Sequence, residues 1–236
     1  MLVKKESMEK EDSLSIEEYN TLHEGKFIIP LDYKIDIELF GKEIQDYRLA
    51  FRRWGEKHMH VPRFGIPLTN LNGDLRNNPE PCCYPLDQWC DANPNSKYSD
   101  QDFNVPTELL DCSCFDVIKD LKEYMIRSCV LYWGKDAYFM PHVDTWLPSK
   151  ILRLWGTSDA TKQDLRHYYD YNGNDTTKGY KIIDNIESGR LYLMDTSLMH
   201  TGNAFDNVYQ FFIALNVNAY NLLENKKLKY KFPSFG

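Results

Sequence analysis

Residues 128–144, SCVLYWGKDAYFMPHVD, carry the pattern that decides the fold. Ser128 to Trp133 is a short apolar run rich in strand-forming side chains, Gly134-Lys135-Asp136 is a hairpin signal, and Tyr138 to Asp144 resumes an extended run. Further strand-like runs follow at Ile151 to Trp155, Arg190 to Met194 and Val208 to Val217, the last with Phe211, Ile213, Leu215 and Val217 on one core face. Upstream the period changes to that of helices. Ser15-Ile16-Glu17-Glu18 has capping-box spacing and Gly25 suits a terminator, which predicts a helix over 16–24. Leu39, Ile44, Tyr47 and Phe51 predict an amphipathic helix between Asp36 and Trp54, and Phe115, Ile118, Leu121 and Met125 another across 107–127. Phe27 to Leu31 reads as a short or edge strand because Pro30 interrupts it. Helices first and strands afterwards define an α+β chain in which helices buttress a β-sandwich or barrel.

Between these halves, residues 55–108 hold seven of the eleven prolines together with Asn-Gly and Asn-Pro turn signals. That stretch is expected to be ordered loop with short strands such as Phe64 to Leu68, anchored by Tyr84, Trp89 and Phe103. At 236 residues the chain is long enough to bury a sizeable core, and it is read as a charged, mobile tail over 1–14 followed by one domain over 15–236.

Composition excludes several classes. No stretch approaches the roughly 20 apolar residues of a membrane span, and the opening MLVKKESMEKED has no apolar signal core, so a cytoplasmic protein without membrane contact is expected. With 35 acidic against 28 basic residues the net charge is -7, which argues against non-specific nucleic-acid binding. None of the six cysteines forms a CxxC pair, so free thiols are expected rather than disulfides or a structural zinc site. The basic run from Lys226 to Lys231 reads as a solvated tail.

Histidines are the scarce ligands. His142 and Asp144, two apart on an extended run, project from the same face. His200 follows 58 residues later, after the strand Leu191 to Met194 and a turn at Asp195-Thr196-Ser197. Two histidines and one carboxylate occupy one face of an octahedral ion and leave three positions open, the set that non-heme Fe(II) oxygenases use. His58 and His60 share the same spacing but lack a carboxylate partner, and are read as a surface pair.

The segments Tyr138 to Thr145 and Gly189 to Asn203 resemble the two metal-binding strands of the Fe(II)/2-oxoglutarate-dependent dioxygenases, with the aspartyl/asparaginyl β-hydroxylase and small amino-acid hydroxylase branch the nearest in character. The resemblance covers about 125–218. It implies a double-stranded β-helix (a jelly-roll, cupin-like core), ferrous iron held by His142, Asp144 and His200, and O2-dependent conversion of 2-oxoglutarate to succinate. It further implies a hydroxylase acting on an amino-acid side chain, free or in a peptide.

One position departs from that pattern. The branch carries an arginine about ten residues after the distal histidine to pair with the cosubstrate carboxylate; here the slot is Gln210, and no arginine follows Arg190. An amide cannot supply a charge-assisted bidentate pair. Arg153, in the apolar run Ile151 to Trp155, is the expected substitute, since a buried arginine is costly unless it faces an anion, and the jumonji-like branch places a base on the strand after His-x-Asp. Gln210 or Tyr132 is the expected auxiliary partner. Substrate contacts are expected from loops 56–105 and 156–180, with Arg63, Trp89, Trp146, His167, Tyr168 and Tyr169 as candidates. Two alternatives stand beside this reading: a cupin-like metal enzyme that does not use 2-oxoglutarate, and a non-catalytic β-sandwich binding module. The oligomeric state is left open.

Overall fold

The computed structural model describes residues 13–53, 63–75, 98–145, 147–168 and 179–228. The capping box closes as the sequence predicts: Ser15 Oγ accepts from the Glu18 amide, and α1 runs over Ile16–His23. The strand β1 (Ile28–Lys34) and helix α2 (Ile37–Glu43) follow, the latter capped by Asp36. Short strands β2 (Arg52–Arg53), β3 (Arg63–Pro67), β4 (Thr69–Asn70) and β5 (Val105–Pro106) lead into the long β6 (Met125–Trp133). The remaining elements are β7 (Ile151–Thr157), β8 (Gln163–Tyr168), β9 (Tyr180–Ile182), β10 (Arg190–Met194), β11 (His200–Ala204), β12 (Val208–Asn216) and α3 (Tyr220–Lys226).

Two antiparallel sheets organise the chain. The larger has seven strands in the order β1-β10-β7-β12-β6-β3-β2, and the smaller runs β11-β8-β9. After β6 the chain crosses to the small sheet, where Tyr138 bridges Asn203 and His142 bridges His200. It returns for β7, crosses to β8 and β9, returns for β10, crosses to β11 and returns for β12. This alternation between two facing sheets is the double-stranded β-helix, a jelly roll.

Strand alternation sorts the side chains into two layers. On the outer face of the large sheet, Val130, Leu152, Leu154, Leu191, Leu193, Phe211, Ile213 and Leu215 form one core with the N-terminal helices. Phe40 of α2 meets Phe211 edge-on at 5.0 Å between ring centres, and burying each such side chain contributes about 2 kcal/mol. Between the sheets, Cys129, Leu131, Trp133 and Val208 make one cluster and Trp155, Leu165, Tyr192 and Met194 another, with Phe212 touching both.

Several elements differ from the sequence expectation. The segment expected as a helix across 107–127 winds as 3-10 turns, including Ser113–Tyr124, and gives way at Met125, which pairs with Leu215. Sheet pairing overrides the helical period there. The helix expected to Trp54 likewise shortens to α2 and a 3-10 segment over Ile44–Ala50. Tyr138 to Asp144 makes isolated bridges rather than a continuous strand, with Pro141, which has no N–H to donate, between them. The strand at Pro30 is longer than expected and ends the seven-strand order, paired with β10 and bridged through Leu31 to Lys227. Leu14, assigned to the mobile tail, is buried and its amide donates to the Ser149 carbonyl at 2.8 Å. Residues 1–12 lie outside the described residues. Cys112, Cys114 and Cys129 are free thiols, as expected, whereas Cys82, Cys83 and Cys90 fall outside the described residues.

Candidate metal centre

His142 and His200 form a reciprocal backbone pair: each amide donates to the other's carbonyl, at 2.9 and 3.0 Å. That pairing fixes the two imidazoles side by side, with ring centres 4.3 Å apart. The His142 Nδ1 lies 2.8 Å from the Met140 carbonyl and the His200 Nδ1 2.8 Å from the Leu198 carbonyl. A carbonyl only accepts, so each Nδ1 carries the proton and each Nε2 keeps its lone pair for a metal.

The third donor is held by a turn that precedes His200. The Thr196 carbonyl accepts from the amides of Asp144 (2.9 Å) and Thr145 (3.1 Å), and the buried hydroxyls of Thr145 and Thr196 lie 2.6 Å apart. Asp144 Oδ1 then stands 3.3 Å from His142 Nε2 and Oδ2 3.7 Å from His200 Nε2. All three ligand atoms fall within 4.8 Å of one another. Metal–ligand bonds of about 2.1 Å place adjacent donors of an octahedral face about 3 Å apart, so the three side chains reach one ion by drawing inward. Burial acts to raise the Asp144 pKa, but without a metal a second proton on the Nε2 of His142 or His200 donates to the carboxylate and holds it well below the usual carboxylate range; a cation bound by the Nε2 lone pairs takes the place of those protons. His200 is nearly buried, whereas His142 and Asp144 each keep about a quarter of the side chain exposed, so the centre opens to one side.

Aromatic rings wall the centre. Phe139 meets His142 edge-on at 4.2 Å, and Phe27 lies 5.8 Å from His200 and stacks on His167 at 4.8 Å. His167 is the cross-strand neighbour of His200, so this histidine stands on β8 rather than in a loop.

The cosubstrate candidates are distributed unequally. Arg153 lies on the inner face of β7, 8% exposed, with its guanidinium 5.2 Å from the centre of the Phe212 ring. Among the described residues its Nε is buried without a hydrogen-bond partner, and the Asp100 carboxylate is 4.0 Å from Nη2. A buried guanidinium with an unbonded Nε and only a long ion pair to Asp100 fits an incoming carboxylate. Gln210 is buried at a different level of the barrel and donates through Nε2 to Gln163 Oε1 at 2.7 Å. In the ladder Gln210 faces Thr157 whereas Arg153 faces Ala214, a separation of four residues or about 13 Å along the strand. Tyr132 packs on Tyr209 (5.3 Å) and Phe64 on the outer face of the large sheet. The expectation that Tyr132 assists Arg153 is therefore corrected: strand alternation turns its side chain away from the inner layer that Leu131 and Trp133 enter. Gln210 is on the inner face but is engaged with Gln163 and displaced from Arg153.

Among the substrate candidates, Arg63 is buried with its guanidinium 4.7 Å from the Trp133 ring centre and 4.3 Å from that of Phe139. Burial pushes its pKa down to about 9, against the charges of Cys129 and Asp144. Tyr168 is buried at the end of β8. Trp89, Trp146, Tyr169, His58 and His60 lie outside the described residues. Lys226 and Lys227 are not part of a solvated tail, because Lys226 pairs with Asp120 at 3.1 Å and Lys227 with Glu224 at 2.6 Å. Sequence reasoning missed Asp100 and Gln163, whose partners come from distant strands; no local signal marks either one.

No protein-family model and no curated protein matches the chain. Solved structures similar to it include the non-heme alpha-ketoglutarate-dependent epimerase SnoN from nogalamycin biosynthesis, at 9% identity and TM-score 0.44, over 85% of this chain and 82% of that one. HygX from Streptomyces hygroscopicus, solved with nickel, 2-oxoglutarate and hygromycin B bound, is similar at 10% identity and TM-score 0.45, over 86% and 88% of the two chains. A Pseudomonas putida prolyl-4-hydroxylase is similar at 8% identity and TM-score 0.44, over 84% and 96%. These are likenesses of chain path and assign no residue of this protein.

Proposed function

We propose that this chain is an Fe(II)- and 2-oxoglutarate-dependent oxygenase that hydroxylates an amino-acid side chain, free or within a peptide. The observation that carries the reading is the convergence of His142 Nε2, His200 Nε2 and the Asp144 carboxylate on one point at the open end of a jelly roll. Bound there, ferrous iron with 2-oxoglutarate and O2 supplies an oxidant that replaces a C–H hydrogen by hydroxyl, while the oxo acid leaves as succinate and CO2.

The chain's own residues supply position and exclusion. The two histidines and Asp144 hold the ion, and the carbonyls of Met140 and Leu198 fix the imidazole tautomers. Phe27 and Phe139 keep water from the flanks of the ligand rings. Arg153, buried and short of acceptors on the inner face, takes the distal carboxylate of the cosubstrate. The amino-acid substrate is supported by the likeness of the two metal-bearing segments to the aspartyl/asparaginyl β-hydroxylase branch.

Anaerobic titration with Fe(II) and then 2-oxoglutarate tests the reading: a metal-to-ligand charge-transfer absorption is expected, followed in air by succinate formation. Iron bound without that absorption would favour the second reading, a cupin-like metal enzyme that does not use 2-oxoglutarate. The observation on that side is the neutral amide pair Gln210–Gln163 where a cation is the usual device.

A further inference from the structure

Asp100 sits between two arginines. It belongs to a 3-10 turn over Asp100–Asp102 whose first residues are tied by Ser99 to Asp102, and which is fastened to the large sheet by Phe103, fully buried against the inner cluster. Gln101 Nε2 also donates to the Lys150 carbonyl, just before β7. The turn therefore holds Asp100 over the ends of β6 and β7. From β6, Arg127 Nη1 donates to Asp100 Oδ1 at 3.1 Å; from β7, Arg153 Nη2 stops 4.0 Å from Oδ2, too far for a hydrogen bond. Both guanidiniums are largely buried, with side chains 12% and 9% exposed. Two buried cations share one carboxylate, and the closer one takes its hydrogen bond.

We propose that Arg127 is a positioning residue for cosubstrate binding: by taking the hydrogen bond of Asp100 it keeps the Arg153–Asp100 contact a 4.0 Å ion pair without a hydrogen bond, and so leaves the Arg153 donors available to a carboxylate ligand. This rests on the reading that Arg153 receives the distal carboxylate of 2-oxoglutarate. The physics is competition. In a region of low dielectric, an unoccupied carboxylate beside a buried guanidinium forms the pair with it, and a ligand would then have to break that pair before binding. With Arg127 in place, the cluster carries one net positive charge, and a ligand carboxylate completes it. Asp100 in turn keeps the two like charges of Arg127 and Arg153 from repelling without a screen, so removing Asp100 in the presence of both arginines strengthens the pull on an anion.

The test measures 2-oxoglutarate affinity directly, by calorimetry and by tryptophan fluorescence, on the full chain loaded with Ni(II) so that no turnover occurs. Arg127→Met is expected to weaken binding roughly tenfold, within the coupling found between contacting charged residues. Asp100→Asn in that background is expected to restore affinity to within about twofold of wild type, a rescue that a merely structural loss at Arg127 would not give. Asp100→Asn alone is expected to bind at least as tightly as wild type, and it also serves if Arg127→Met fails to fold. Arg153→Met separates the two levels. If it leaves affinity intact, the carboxylate assignment itself falls. If Arg153→Met abolishes binding while Arg127→Met is unchanged, or Asp100→Asn weakens binding or fails to rescue Arg127→Met, the assignment stands and the role of Arg127 is overturned.

Discussion

Gln210 on β12 donates through Nε2 to Gln163 Oε1 on β8 at 2.7 Å, a buried hydrogen bond that joins the two sheets of the jelly roll. It stands where a cation is expected to meet the cosubstrate, and it sits about four residues of strand away from the buried Arg153.

The amide pair makes a prediction about stability. Replacing Gln163 by Leu leaves the Gln210 amide buried without its acceptor, and is expected to cost about 1–3 kcal/mol in urea unfolding. Adding Gln210→Leu is expected to return a good part of that loss, since two apolar side chains replace two polar ones. Strictly additive losses in the double variant would show that the bond contributes nothing specific.

Metal binding should stabilise the fold through the triad. Ni(II) at a hundred times its dissociation constant is expected to add about 2.7 kcal/mol to unfolding. Asp144→Ala and His200→Ala should each abolish that gain in a thermal melt while leaving the metal-free melting temperature within a few degrees. A metal-induced shift that survives both substitutions would place the ion elsewhere.

His23 predicts a pH dependence. It is fully buried, stacked on Tyr19 at 4.1 Å, and burial pushes its pKa below the ordinary imidazole value, against the Tyr19 carbonyl and Asp195. With the folded value depressed, the unfolded chain binds the extra proton from about pH 6.5 downward, so the stability present above that pH is lost as pH falls towards the folded value. The slope for this proton is at most about 1.4 kcal/mol per pH unit. Urea midpoints of the metal-free chain at pH 7.5, 6.5 and 5.5 should fall less steeply in His23→Gln than in wild type; equal slopes would remove His23 from the account. Burial lowers His167 in the same direction, so part of the slope remains in the variant.

Gly189 tests how the sheet is closed. It has a φ of +81°, its amide donates to Thr157 and its carbonyl accepts from Ile35, and an added Cβ would meet the Ile35 carbonyl oxygen at 2.3 Å. Gly189→Ala is therefore expected to destabilise the fold by more than about 1 kcal/mol, because both the left-handed backbone and the close approach exclude a side chain. An unchanged unfolding midpoint would contradict this.

The sequence by itself determined the elements that local chemistry specifies. The capping box at Ser15 and Glu18 and the alternating stripe from Phe211 to Leu215 were legible, because caps and strand alternation are properties of neighbouring residues; the signal after Trp133 gave a turn but not the hairpin it suggested, since β6 pairs with β12 and β3 while Tyr138 and His142 bridge the other sheet. His142 and Asp144 were legible for the same reason. Their pairing with His200 followed from the likeness of two segments, since nothing local joins residues 58 positions apart. Only the tertiary structure decided where the remaining polar groups meet. Tyr132 and Leu131 are adjacent in the chain but end on opposite faces of one sheet. Met125 left a helical pattern to pair with Leu215, and β8 and β11 formed from runs too polar to read as strands. Asp100, Arg127 and Arg153 come together from three separate elements, and their relation depends on a difference between 3.1 and 4.0 Å. Sequence spacing sets which residues can share a face, but electrostatic competition among buried groups depends on distances that only the packed sheets fix.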